Sequence, residues 1–223
     1  MNALLRYQAA LLIRSQRWLP PFILYVVFLG IGVQSGQPIL DSLGYAAAAL
    51  LPVAAWLVRI CVTNEPPAAR SCVSAAVGPG RAHLAALLVA LGTAVVLGTA
   101  GTVVVTLISD AASADHQTRV PRLAAGAAGL LAALACALLG TAVGALTTWP
   151  LLRSTGRAVP TMLLAALLSV VVTGSPAQAA VSGLVTGSRS GTVPMPVLPL
   201  VAATLLTAAA TAAACALTSR RSP

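Results

Sequence analysis

The side chains that could do chemistry are few, and their spacing matches no catalytic pattern. The 223-residue sequence holds thirteen Arg but no Lys, four acidic residues and two His. The missing Lys excludes a Walker A loop, a Schiff base and a lysine general base. His83 and His116 form no HExxH motif, and neither lies deep within an apolar run where it could activate Ser169 or Ser182. We therefore expect that the chain is not an enzyme and that it binds no metal or cofactor.

The cysteines indicate neither a zinc site nor a disulfide framework. Cys61, Cys72, Cys136 and Cys215 form no CxxC pair and show no paired spacing. Two of them lie inside apolar runs, where Cys behaves as a small hydrophobic residue. A structural role is expected for all four.

The elements that must position these residues are long apolar runs. Hydrophobic residues make up 58% of the chain and charged residues 8%, with a mean hydropathy of +0.94, whereas soluble domains carry about 25% charged residues. A bilayer-crossing helix needs about 20 mainly apolar residues. On this basis six spans are predicted: 18–34, 43–62, 82–108, 123–148, 159–173 and 197–217. The predicted fold class is all-α, a polytopic membrane protein, in which the stretch 174–185 is re-entrant or interfacial.

Arginine placement orients these spans. With the N-terminus inside, ten Arg fall on the cytoplasmic side and three on the other. The ten are Arg6, Arg14, Arg17, Arg59, Arg70, Arg81, Arg153, Arg157, Arg220 and Arg221, and the three are Arg119, Arg122 and Arg189. Because Lys and Arg stay cytoplasmic in short loops, both termini are predicted to lie inside. The net charge of +9 has this origin, and since the Arg form no basic stripe, no nucleic-acid partner is expected.

The N-terminal segment 2–17 is predicted to be an interfacial helix at the bilayer surface. At about 100° per residue, Arg6, Arg14 and Arg17 fall within an arc of about 80°. Four leucines, Leu4, Leu5, Leu11 and Leu12, lie opposite them. This pattern is typical of a helix whose cations face water or lipid headgroups while its leucines face the acyl chains. An ordinary polar N-terminus is the alternative. A cleaved signal peptide is disfavoured because the 17 residues before the apolar run are long for one.

The loop after the second span contains a short helix, predicted over residues 64–77. Asn64 can cap it, Glu65 stands at the positive end of its dipole, and prolines occupy its first turn. Gly78-Pro79-Gly80 is predicted to end the helix in a rigid turn before Arg81 begins the third span. The alternative is a plain connector whose Arg only set topology.

This organisation resembles the permease subunits of ABC-2 type exporters. The matching positions are Glu65, Arg70, the small-apolar stretch 75–77, the turn 78–80, Arg81 and Leu84. The chain departs from the family in the prolines that follow Glu65 directly and in the Ala-rich character of 75–77. The resemblance implies that residues 64–77 form a coupling helix that docks on a separate ATPase subunit carrying ATP and magnesium, with Glu65, Arg70 and Arg81 as coupling residues. It also implies a dimer, formed with a second copy or a sister permease, in a bacterial plasma membrane.

Two other classes of function stay open. A non-transporting membrane scaffold or assembly factor would use the same helices to hold other proteins. An ion-coupled secondary transporter is disfavoured because the spans hold almost no ionisable residues. Within the spans, Gly140 and Gly144 are spaced for a close helix–helix contact, and Pro52 is predicted to bend the second span.

Overall fold

The computed structural model describes residues 1–148 and 155–221, which form helices joined by short loops. The helices are α1 (Asn2–Ser15), α2 (Leu19–Gly32), α3 (Ile39–Thr63), α4 (Pro67–Val77), α5 (Pro79–Ile108), α6 (Arg122–Thr147), α7 (Thr155–Val171), α8 (Pro176–Ser190) and α9 (Val197–Arg221). Two isolated β-bridges are the only extended pairing within the described ranges. The predicted all-α class is confirmed.

Four helices are long and apolar enough to cross a membrane: α3, α5, α6 and α9. Helices α7 and α8 together make a fifth candidate, bent by 45° at the break between them. Helix α2, which corresponds to the first predicted span, has only 14 residues and is shorter than the others. The chain is therefore a membrane-embedded protein with four or five helices of spanning length.

Helix α3 lies at the centre of the bundle, where α2, α5, α6 and α8 pack around it. Small residues allow this close packing. A side chain at Gly140 would place its Cβ 2.4 Å from the carbonyl oxygen of Leu51, and one at Gly144 would place it 2.6 Å from the Cβ of Val58. The contact predicted for this glycine pair is confirmed, and α3 is the helix it contacts. Pro52 lies inside α3, which remains one helix from Ile39 to Thr63.

Helix α2 runs along the bundle from one end to the other. It follows α1, which contacts the end of α3, and it leads into a loop that pairs with the far end of α5. Midway, the ring of Tyr25 occupies the space left by Gly101, and its hydroxyl donates a 3.4 Å hydrogen bond to the carbonyl oxygen of Ala46. One aromatic side chain therefore attaches this short helix to both α3 and α5.

One end of the bundle is closed by hydrogen-bonded loops, and we call it the loop end (residues 33–38 and 109–121). The backbone N–H of Ile39 donates to the carbonyl of Asp110, whose own N–H donates to the carbonyl of Gln37, both at 3.0 Å. The backbone N–H of Ala114 donates to the carbonyl of Ser188 at 2.9 Å, and the Ser188 hydroxyl donates to Asp41 Oδ2 at 3.0 Å. These hydrogen bonds thus hold together parts of the chain that are far apart in the sequence.

Within the loop end, Asp115 organises a tight turn that we expect to open at acidic pH. The Asp115 carboxylate accepts hydrogen bonds from the Ser113 hydroxyl and from the backbone N–H of Gln117. Both bonds lower the pKa of Asp115, and the bond from Ser113 has the larger effect. Because the pKa is lowered by the turn, the ionised carboxylate stabilises the turn. This contribution is complete above the ordinary Asp pKa of about 4, and it is lost as the pH falls through the lowered pKa. Amide hydrogen exchange of residues 113–118 should show this loss. An Asp115→Asn variant, compared at each pH, should lack the acid-dependent step, and an identical step in both proteins would contradict the assignment.

The last third of the chain differs from the prediction in detail. The predicted fifth span, 159–173, corresponds to α7, and the stretch 174–185 forms most of α8 after a turn at Gly174, whose φ is +92°. Helix α8 is not a surface helix on one side of the bundle, because Leu184 is fully buried and α8 packs against both α3 and α6. The buried Ala177 and Ala180 of α8, and Gly44 of α3, which faces Leu184, permit this approach.

Candidate functional site at the α4 end

A cavity of about 690 Å³ lies at the end of the bundle opposite the loop end, where α3 ends and α5 begins; we call this the α4 end. Helices α1, α3, α4, α5 and α9 all contribute to its wall. Its lining residues are Gln8, Cys61, Val62, Thr63, Glu65, Pro67, Arg70, Ser71, Ser74, Ala75, Pro79, Ala82, His83, Ala86 and Thr218. Two of the predicted coupling residues, Glu65 and Arg70, are among them.

Glu65 is buried, with 7% of its surface exposed, and it faces α1. Its Oε1 accepts a hydrogen bond from the Tyr7 hydroxyl at 3.0 Å, and its Oε2 accepts one from Gln8 Nε2 at 3.4 Å. Partial burial, and then this hydrogen bond to the carboxylate, raises the pKa of Tyr7. Glu65 was predicted in the first turn of an exposed helix, but it instead connects α1 to the loop that leads to α4.

The predicted N-cap at Asn64 is wrong. Helix α4 begins at Pro67 with Pro66 as its N-cap, whereas Asn64 still has helical backbone angles and ends α3. The two prolines explain the shift, because a proline suits the first helical position and disfavours helix in the residue before it. The Asn64 side chain is thereby free to bind α1, donating 3.1 Å hydrogen bonds to the Leu11 carbonyl and to the Ser15 hydroxyl. Asn64 and Glu65 together fasten α1, and we call this pair with its partners the α1 latch.

The turn after α4 is also shorter than predicted. Gly78 alone leaves helical geometry, with a φ of +86° that favours glycine, and Pro79 already begins α5. Arg81, the third predicted coupling residue, is exposed on the first turn of α5 and lies outside the cavity. The structure therefore separates the three: Glu65 and Arg70 line the cavity, and Arg81 faces outward.

Arg70 and His83 both line the cavity, Arg70 from α4 and His83 from α5. Arg70, on α4, donates from Nη2 to the carbonyl oxygen of Val62 near the end of α3. His83, on α5, has 7% of its surface exposed, and within the described part of the chain its Nε2 has no hydrogen-bond partner. Sequence reasoning did not single out His83 as a site residue, since a lone His at the start of an apolar run carries no motif.

Helix α1 presents its arginines to the outside, as predicted. Arg6 and Arg14 of α1 are exposed, as is Arg17, which lies two residues beyond the end of the helix at Ser15. Its opposite side differs from the prediction, because Leu12 and Gln8 are buried against the bundle and do not face acyl chains. The helix docks on protein by packing mainly against α5, by burying Leu12 in the core and by its hydrogen bonds with Asn64 and Glu65.

Helix α4 is the most exposed helix of this end, with no buried residue. Ala68, Ser71, Cys72, Ala75 and Ala76 are all exposed. The helix packs mainly on α5 and is connected to the bundle by Arg70 and the loops at its two ends. Helix α4 is thus an exposed helix that links the two packed helices α3 and α5.

Among the residues that the structure describes, no group of three or more His, Cys, Asp or Glu could hold a metal ion. Neither a protein-family model, nor a curated protein, nor a solved structure matches this chain.

Proposed function

We propose that this chain is the membrane-spanning subunit of an ATP-driven exporter in a bacterial plasma membrane. Two copies, or one copy and a sister permease, would enclose the pathway between them. A separate subunit would supply the ATPase with its ATP and magnesium, since this sequence has no Lys for a Walker A loop and is proposed not to be an enzyme itself. Movement of α4 would carry the effect of ATP binding into the membrane helices.

The observation that carries the proposal is the placement of α4. It is an 11-residue helix with no buried residue, inserted between the central helix α3 and the long helix α5. A force on α4 acts on both helices at once, because the Arg70 side chain binds the last turns of α3 and a single glycine separates α4 from α5. A simple connector would not need to keep a helix exposed in this position. The α1 latch would make α1 move together with this unit.

The path of the chain supports six crossings with both termini on one side. Helix α2 leads from the α4 end to the loop end, and α6 returns to the α4 end, where Gly144 packs beside Val58. In this proposal helices α7 and α8 make one broken crossing, which is supported by the end of α8 at the loop end, where Ser188 binds Asp41. Helix α9 returns to the α4 end, where Ser219 contacts Gly80. The excess of Arg at the α4 end then orients it toward the cytoplasm, where an ATPase is found.

Cross-linking from Cys72 tests the proposal directly. Cys72 is the exposed cysteine of α4, whereas Cys61 and Cys136 are buried and Cys215 is partly buried. A photoactivatable maleimide attached to Cys72 in native-host membranes should form an adduct with a polypeptide that carries a Walker A lysine. The yield of that adduct should change when ATP and magnesium are added, because the proposed docking responds to nucleotide.

A matched control places the same reagent at the other end of the bundle. A Cys72→Ser, Gln117→Cys variant moves the probe to an exposed position of the loop end, and it should give no ATPase adduct. Equal adducts from both positions would contradict docking at α4. Adducts with other membrane proteins and none with an ATPase would favour the scaffold function instead.

A further inference from the structure

We propose that the cavity at the α4 end binds a small organic anion with an apolar body, recognised by Arg70 and His83. The inference concerns the cavity alone and does not depend on the proposed transport function. A volume of about 690 Å³ falls within the range of about 300–1,000 Å³ typical of small-molecule sites. Four of the lining residues, Cys61, Val62, Ala82 and Ala86, form an apolar part that we call the floor of the cavity, and polar side chains from α1, α3, α4, α5 and α9 also line it.

His83 indicates that a polar group belongs in the cavity. The side chain lines the cavity, it is more than nine-tenths buried, and its Nε2 lacks a hydrogen-bond partner among the described residues. Buried polar groups in folded proteins are almost always paired, because an unmade hydrogen bond costs the desolvation of the group. A ligand whose polar end reaches His83 would provide the missing partner.

The charges in the wall favour a negative ligand. Glu65 could in principle attract a cation, but its two carboxylate oxygens already accept hydrogen bonds from Tyr7 and Gln8 of α1. Arg70 contributes a guanidinium charge from α4, in addition to its hydrogen bond to the Val62 carbonyl, and the hydroxyl-bearing Ser74 follows one turn further along α4. Arg and hydroxyl groups are the usual donors to carboxylates and phosphate esters. The cavity therefore combines an apolar floor with donors suited to an anionic head.

Three fluorinated probes of the same shape and different charge test this assignment. Para-fluorobenzoate, para-fluorobenzamide and para-fluorobenzylamine carry a negative, a neutral and a positive head on one ring. Binding to the full chain in lipid nanodiscs is measured by fluorine NMR line broadening, with empty nanodiscs subtracted. We expect the benzoate to bind and the other two to bind at least about tenfold more weakly, as a charge-assisted hydrogen bond implies.

Matched variants locate the site. Arg70→Gln and His83→Leu should each weaken benzoate binding by about tenfold or more, while Arg81→Gln and His116→Leu, which change the same residue types outside the cavity, should leave it unchanged. Arg70→Gln also removes the contact to Val62. Ala86→Leu is therefore a second variant, which fills the floor of the cavity but keeps Arg70 and His83, and it should also weaken benzoate binding. Equal binding of the three probes, preference for the amine, no binding to the wild-type chain, or equal loss in the Arg81→Gln control would each overturn the proposal.

Discussion

Replacing Gly140 by leucine is expected to prevent stable assembly of the helix bundle. The Cβ of any side chain at this position would lie 2.4 Å from the carbonyl oxygen of Leu51 and 2.7 Å from the Cβ of Ala54. Neither can move aside cheaply, because one is backbone and the other is a Cβ of the central helix. Ordinary overpacking costs about 1–3 kcal/mol, and a clash with backbone lies at or above the upper end of that range. Gly144→Leu, which meets the Ala55 carbonyl at 2.9 Å, should act in the same way.

The measurement is the thermal unfolding of purified protein in nanodiscs, together with the fraction that elutes as a single folded species. Gly92→Leu is the matched control, since a Cβ there would meet no atom within 4 Å although it also lies inside a long membrane helix. We expect the control to unfold close to the wild type. If Gly140→Leu and Gly92→Leu unfold at the same temperature, the close approach of α6 to α3 is wrong.

Removing the Glu65 carboxylate is expected to release α1 from the bundle. Glu65→Ala leaves Tyr7 and Gln8, which is itself buried, without their acceptor. A hydrogen bond to a charged group contributes about 1.5–3 kcal/mol, so the population of detached α1 should rise by roughly tenfold or more. Leu12 is the α1 residue in the buried core, most of which is formed by α3, α5 and α6 and should stay folded. In the exporter proposal, the same variant should weaken the response of transport to ATP, because α1 would no longer move with the loop that leads to α4.

Trypsin digestion reports the release of α1 with an internal control. The chain has no Lys, so trypsin can cut only at Arg, and Arg6 and Arg14 lie exposed within α1. Cleavage at these sites should accelerate in Glu65→Ala, because proteolysis follows the population of the open form when opening is fast. Arg122, exposed at the loop end, should be cut at an unchanged rate. Equal acceleration at Arg122 would indicate general unfolding, and no acceleration at Arg6 or Arg14 would contradict the latch.

The features that the sequence predicts correctly are those set by local pattern. Apolar runs of about 20 residues specify long membrane helices, and a glycine pair one helical turn apart specifies a close contact between helices. The exposed arginines of α1 follow from helical periodicity. Each of these depends on residues within one helix, so no knowledge of the partner helix is needed.

The site could not be predicted in the same way, because its contacts join residues far apart in the sequence. Tyr7 and Glu65 are separated by 58 residues, and Leu11 and Asn64 by 53. By local pattern Asn64 is a helix cap and Glu65 an exposed acid. The prolines displace Asn64 from the cap position, and the docking of α1 gives both residues their observed partners. His83 likewise becomes noteworthy only when the cavity that it faces is known. Burial of polar residues, which decides their chemistry, is a tertiary property.

Helix α2 bears on the lipid that surrounds the protein. Its 14 helical residues span about 21 Å at 1.5 Å per residue, while the hydrocarbon core of a bilayer is about 30 Å thick. Phe22, Ile23, Val26 and Val27 are exposed on its surface, and in the proposed six-crossing arrangement acyl chains would cover them. A short apolar surface is matched by local thinning of the bilayer, at a cost that grows with each ångström of mismatch. The bilayer beside α2 would thus be thinner than elsewhere. The protein should therefore be more stable in lipids with shorter acyl chains.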